Sequence, residues 1–247
     1  MNNHNCAKPT RNNKPRAFTT YNFLLNLNLR GGNIMIKRTY IPTFLLFMMG
    51  LVMPWAIPNA FAAKLTPADC RTIIEQAEDQ ANLTDSAFRA FGATTKMHIA
   101  CVDREGDIKG FRSMPDAWTG SIDIAKAKAY TAAAFSSNQN ALTTRDIGVL
   151  SQPGGPLWHI GNSNDPKTPG SINERGIIEF PGGVPLYKDG KLVGGIGVSG
   201  DGVDQDEDVA EAGSCGFLPA AAIRSDTVLP GILPYTTGGV FNFRTAC

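Results

Sequence analysis

The sequence predicts an α+β fold, an antiparallel sheet with helices packed on it. Two observations carry this. Apolar runs pair across short turns, as hairpins rather than strand–helix–strand units. The clearest is Val184-Pro-Leu-Tyr187 and Leu192 to Val198 around Lys188-Asp-Gly-Lys191; Asp-Gly between such runs is a strong hairpin signal, because Gly accepts the positive φ of a tight turn. Helical patterns stand before, between and after the hairpins.

The folded part follows a leader. Residues 1–34 are polar, Asn-rich and free of acids, and Met35 is the expected native start, with Arg30-Gly31-Gly32 encoded where a ribosome-binding site would stand. Residues 35–62 read as a secretory signal peptide: a basic Met35-Ile-Lys-Arg38, an apolar Ile41 to Ile57 interrupted by prolines, and Ala60-Phe-Ala62 as the cleavage pattern. Cleavage after Ala62 is expected, giving a periplasmic or secreted protein that carries no membrane anchor. Of 23 Lys and Arg, seven lie in the first 62 residues, which hold no acid; the other 16 face 22 acids, a net charge of −6. An acidic domain of this kind has no electrostatic case for nucleic acid or an anionic membrane.

Four cysteines remain after the leader, an even number that suits an oxidising compartment. Three pairings are possible; Cys70–Cys101 and Cys215–Cys247 are favoured, the second stapling a C-terminal tail, residues 217–247, onto the domain of residues 63–216.

Taken in order, Thr66-Pro-Ala-Asp69 opens a helix whose stripe is Ile73, Ile74, Ala77 and Ala81. Met97 to Val102 is a strand, Asp103 to Gly106 a turn, and Ile108 to Phe111 the return strand. An alanine-rich helix runs from Ser121, its expected cap, to Phe135. Asp123, Lys126 and Tyr130 form a polar ridge on it, at spacings of three and four. Thr143 to Leu150 reads as a short helix, Ser151 to Glu174 as a long loop rich in Gly, Pro, Asn and Ser, and Ile177 to Phe180 as a strand. Gly194, Gly195 and Gly197 thin the hairpin's second strand, which marks close approach of a backbone or a ligand. Asp204 to Glu211 starts a helix with carboxylates at its positive end. The expected order is α-β-β-α-(α)-β-β-β-α.

Few motifs carry chemistry. The acids from Asp201 to Asp208 lack the Gly and Glu of a calcium loop. There is no phosphate loop and no G-x-S-x-G nucleophile elbow. After the leader only His98 and His159 remain, the first in a strand and the second beside Trp158 in the long loop. Each is read either as structural or solvated or as a ligand for a bound group.

Ser121-x-Asp-Ile-Ala-x-x-Lys-Ala-x-Thr-Ala, Gly182-Gly-Val-Pro-Leu, Asp189-Gly-Lys-Leu-Val-Gly-Gly-Ile-Gly-Val-Ser-Gly200 and Gln205 to Gly213 together resemble the GlcG/HbpS-like family, which includes the C-terminal domain of PduO-type proteins. The resemblance runs from about Leu65 to Gly213. It implies a profilin-like α/β/α sandwich, an antiparallel sheet flanked by helices, assembled as a homo-oligomer, with haem as the cofactor in several members. The loop Ser151–Glu174 is longer than the family's connection, and the tail after Gly216 looks like an addition.

The resulting expectation is an exported small-molecule-binding protein whose pocket lies between the alanine helix and the glycine-thinned hairpin, lined by Gly195 and Gly197. Haem is the expected ligand, with His159 or His98 on the iron and Asp123, Lys126 and Tyr130 near the pocket or a subunit contact. The alternatives are an enzyme acting on a small organic acid, with Lys126 as cation and Asp123 as base, and a structural accessory oligomer.

Overall fold

A computed structural model of the chain describes residues 63–158, 160, 175–236 and 247. Residues 1–62, where the leader and signal peptide are expected, and most of the long loop, His159 included, lie outside the described residues.

Helix α1 (Pro67–Ala81) starts on a reciprocal cap: Thr66 Oγ1 accepts from the Asp69 amide, and the Asp69 carboxylate accepts from the Thr66 amide. Strands β1 (His98–Asp103) and β2 (Ile108–Ser113) form the first hairpin. Helices α2 (Ser121–Ala134) and α3 (Thr144–Leu150) follow. Strands β3 (Gly183–Lys188) and β4 (Lys191–Ser199) form the second hairpin, and α4 (Val203–Gly213) follows it. Asp189 and Gly190 both have positive φ, the backbone of the expected primed turn.

The four strands are antiparallel in the order β2-β1-β4-β3. Helix α2 packs on one face, against β1, β3 and β4, while α1 and α4 lie together on the other. Strand alternation splits the core accordingly. Ile99, Cys101, Val184, Leu186, Ile196 and Val198 join Ile73, Ile74, Ala77 and Val209 on the α1/α4 side. Ala100 and Val102 meet Ala125, Ala129 and Ala133 of α2 on the other. The result is the α/β/α sandwich.

Alanine on α2 and glycine on β4 bring helix backbone onto strand backbone. A Cβ at Gly197 would stand 2.1 Å from the Ala125 carbonyl oxygen, and one at Gly195 2.3 Å from that of Ala129. The expected pocket between the alanine helix and the glycine-thinned hairpin is therefore absent, and Gly195 and Gly197 are packing contacts rather than ligand contacts.

Two further expectations are corrected. Ile177 to Phe180 joins no strand; the Ile178 amide donates to Thr131 Oγ1 of α2, so this segment is tied to a helix rather than to a sheet edge. Ser121 does not cap α2 but is its first residue, the preceding Gly120 having no side chain to cap with.

The outer edge of β3 is closed at three successive outward positions. The Gly183 amide donates to Thr144 Oγ1, Pro185 has no N–H, and the Tyr187 amide donates to the Phe217 carbonyl. The tail thus guards this edge and buries Leu233 and Tyr235. It is pinned by Asp146, whose carboxylate accepts from the Thr143 amide (2.9 Å), Ser225 Oγ (2.7 Å) and the Tyr235 amide (3.1 Å). Both favoured disulfides are present, Cys70–Cys101 between α1 and β1 and Cys215–Cys247 between the end of α4 and the tail.

Candidate functional site

Because α2 lies over β1, β4 and β3, the matching face of edge strand β2 stays open, and every β2 residue except Gly110 is exposed. A bulge adds to this. Cys101 pairs with Gly110 but Val102 pairs with Ile108, so Lys109 is skipped. Ile108 and Phe111, three residues apart, thereby share the face toward α2.

The space between this face and α2 is a groove of about 610 Å³ lined by Val102, Gly106, Asp107, Ile108, Asp123, Lys126, Tyr130 and Arg175. The ridge expected from the sequence is thus one wall of the groove, with Val102 and Ile108 as its apolar floor. Arg175, at the end of the long loop, closes it: the guanidinium lies 5.5 Å from the centre of the Tyr130 ring, pairs with Asp107 at 2.9 Å and donates to the Glu105 carbonyl. Lys126 pairs with Asp123 at 3.1 Å and stands 5.3 Å from the centre of the Phe111 ring. Exposed pairs such as these contribute at most about 1 kcal/mol, so an incoming anion can exchange for them at little cost.

His98 is buried and engaged on both nitrogens. Nε2 stands 2.9 Å from the Trp118 carbonyl, which only accepts, so Nε2 carries the proton; Nδ1 stands 2.9 Å from Ser113 Oγ. Both ring nitrogens are thus engaged, and iron could reach His98 only by displacing the Ser113 or Trp118 contact. His159 lies outside the described residues.

A second polar centre went unread in the sequence. Lys128, two residues from Lys126 and so on the opposite side of α2, is fully buried and meets Asp206 at 2.6 Å and the Val198 carbonyl at 2.9 Å. Asp206 also accepts from the Gly200 and Asp201 amides. Burial draws the Lys128 ammonium below its ordinary value and lifts the Asp206 carboxyl above its own, and their mutual attraction opposes both. With no solvent access, this pair is structural. The sequence signals for it were the Lys128 and Asp206 positions within two of the resemblance motifs and the acid-rich start of α4, which reads equally well as a solvated helix end.

A family model described as haem degrading protein HbpS-like matches residues 65–214. The chain belongs to the HbpS-like family. Over 113 residues, 46% of this chain, it is 33% identical to the corrinoid adenosyltransferase PduO of Salmonella typhimurium, spanning 30% of that protein's length. Over 113 residues it is also 34% identical to an uncharacterized 15.0 kDa protein in the dhaT-dhaS intergenic region of Citrobacter freundii, spanning 70% of it. Among solved structures, the PduOC:heme complex is similar with a TM-score of 0.51 and 26% identity, over 63% of this chain and 96% of that one. The Klebsiella pneumoniae protein ORFY is similar with a TM-score of 0.50 and 25% identity, over 64% and 93%. Relative to the HbpS-like match, the tail that guards β3 is extra.

Proposed function

We propose that this HbpS-like protein binds haem in the groove between α2 and β2. The observation that carries the reading is the groove's make-up: an apolar floor, two cations on exposed, exchangeable ion pairs, and a tyrosine, in a volume within the usual range for small-molecule sites. The family's description and the relative crystallised with haem support it. These residues fit the group. Lys126 and Arg175 suit its two carboxylates, and Val102 and Ile108 suit its apolar face. Among the described groove-lining residues Tyr130 is the one of a type that ligates haem iron, and it takes the place of His98 as the candidate ligand. Bound haem would supply a redox-active iron tuned by that ligand.

The test is a hemin titration of the purified protein followed by absorbance. Tyr130→Phe shifts the Soret band, and Lys126→Glu with Arg175→Glu weakens binding by about tenfold or more, the scale of two lost charge-assisted contacts. A Soret band and affinity unchanged in both variants would remove the reading.

We further propose that the protein is exported, to the periplasm or beyond, and assembles as a homo-oligomer. The two disulfides support an oxidising compartment. N-terminal sequencing of exported protein should begin at Ala63, and size exclusion with light scattering should give a multiple of the monomer mass.

A further inference from the structure

We infer that the site continues beyond the groove onto Phe111, and that this ring selects a flat macrocycle over smaller carboxylates. The inference rests on the haem reading and names what determines its specificity. The β2 bulge sets Phe111 beside Ile108 on the open face of the edge strand, where the two side chains are 37% and 50% exposed. Single exposed apolar side chains are ordinary, but these two extend the groove floor along one line. Lys126 ties the regions together, since it lines the groove and its ammonium stands over Phe111.

Phe111 is also held in place. Its ring lies parallel to the His98 imidazole, with 4° between planes and 6.0 Å between centres. That imidazole is fixed by Ser113 of β2, the strand that carries Phe111, and by the Trp118 carbonyl beyond it. A buried histidine locked on both nitrogens gives the ring a rigid backing. The ligand takes the place of Lys126, which leaves its exposed contacts with the ring and Asp123 to meet a ligand carboxylate, so little side-chain entropy is lost at Phe111 itself. His98 therefore serves the site as a positioning residue, not through iron.

This shelf acts on the ligand's π face, so it does not depend on a metal. A small dicarboxylate could use Lys126 and Arg175 but gains nothing from Phe111; a porphyrin gains the stacking area as well.

The experiment compares hemin with metal-free protoporphyrin IX, titrated by absorbance into native protein, Phe111→Ala, Phe111→Leu and Tyr130→Phe. Phe111→Ala weakens both porphyrins alike, by about three- to tenfold, the scale of one aromatic contact. Phe111→Leu, which keeps apolar bulk and guards against a folding defect, retains part of the loss. Tyr130→Phe changes hemin alone. If both porphyrins bind and the Phe111 variants match native affinity, or lose hemin only, the shelf is wrong and the haem reading stands. If native protein binds neither porphyrin, both fall.

Discussion

The ammonium of Lys128 and the carboxylate of Asp206 stand 2.6 Å apart, and through them helices on opposite faces of the sheet are joined. Lys128 reaches from α2 past the end of β4, where it also donates to the Val198 carbonyl; Asp206, in the first turn of α4, takes the amides of Gly200 and Asp201. The turn after β4 is thus fixed from both sides, and the Phe180 ring lies 5.0 Å from the ammonium.

Removing one partner strands a buried charge. Lys128→Met or Asp206→Asn alone should cost about 3–5 kcal/mol of unfolding free energy, read by urea titration. Lys128→Met with Asp206→Leu should recover part of that loss. Equal stability of the single and double variants would refute the assignment.

The backbone contact between α2 and β4 leaves no room for a methyl group. Gly197→Ala should destabilise by about 1–3 kcal/mol or more, because the new Cβ meets the Ala125 carbonyl rather than a movable side chain. Hemin affinity of the folded fraction should be unchanged, since the groove lies across α2 from this contact. A fall in affinity with no fall in thermal midpoint would return Gly197 to the ligand site.

Burial pushes the Asp146 carboxyl from 3.8 up to about 6, against the hydrogen bonds from Ser225, Thr143 and Tyr235. The folded state therefore holds the proton more tightly than the unfolded chain does. The resulting stabilisation is full below about pH 4 and is lost as pH rises through about 6, a change of about 3 kcal/mol. Asp146→Asn removes this dependence. Measured at pH 4 and pH 7, the native-minus-variant difference in unfolding free energy should shrink by most of that amount, and a difference that stays level or grows would contradict it.

The Cys215–Cys247 bridge closes a separation of 32 residues around the tail. Cys247→Ser should cost about 2–4 kcal/mol, and native protein under a dithiol reductant should show a similar loss. Hydrogen exchange should rise first at the Tyr187 amide, whose acceptor is the tail residue Phe217. Unchanged protection there would mean that the disulfide does not hold the edge guard.

Local chemistry was enough to read much of this protein. The Thr66 cap, the Asp189-Gly190 turn, the alternating strands, the ridge Asp123–Lys126–Tyr130 and the even cysteine count follow from residues near one another in sequence or from composition; the cysteine pairing was favoured among three possibilities and needed the fold to decide it. What local pattern did not carry was the sideways placement of α2. The narrow stripe Ile122, Ala125, Ala129, Ala132 and Ala133 marks the inward side of that helix, and its four alanines are buried, but it does not say which strands the helix covers, and Lys128 looked as solvated as Lys126. Tertiary packing set α2 over three strands and left the same face of β2 open. That put the candidate groove at the sheet edge rather than at the glycine hairpin, brought in Arg175 from 45 positions beyond Tyr130, and set the His98 ring parallel to that of Phe111. A helix's register along a sheet depends on how whole surfaces fit, and no short stretch of sequence contains that information.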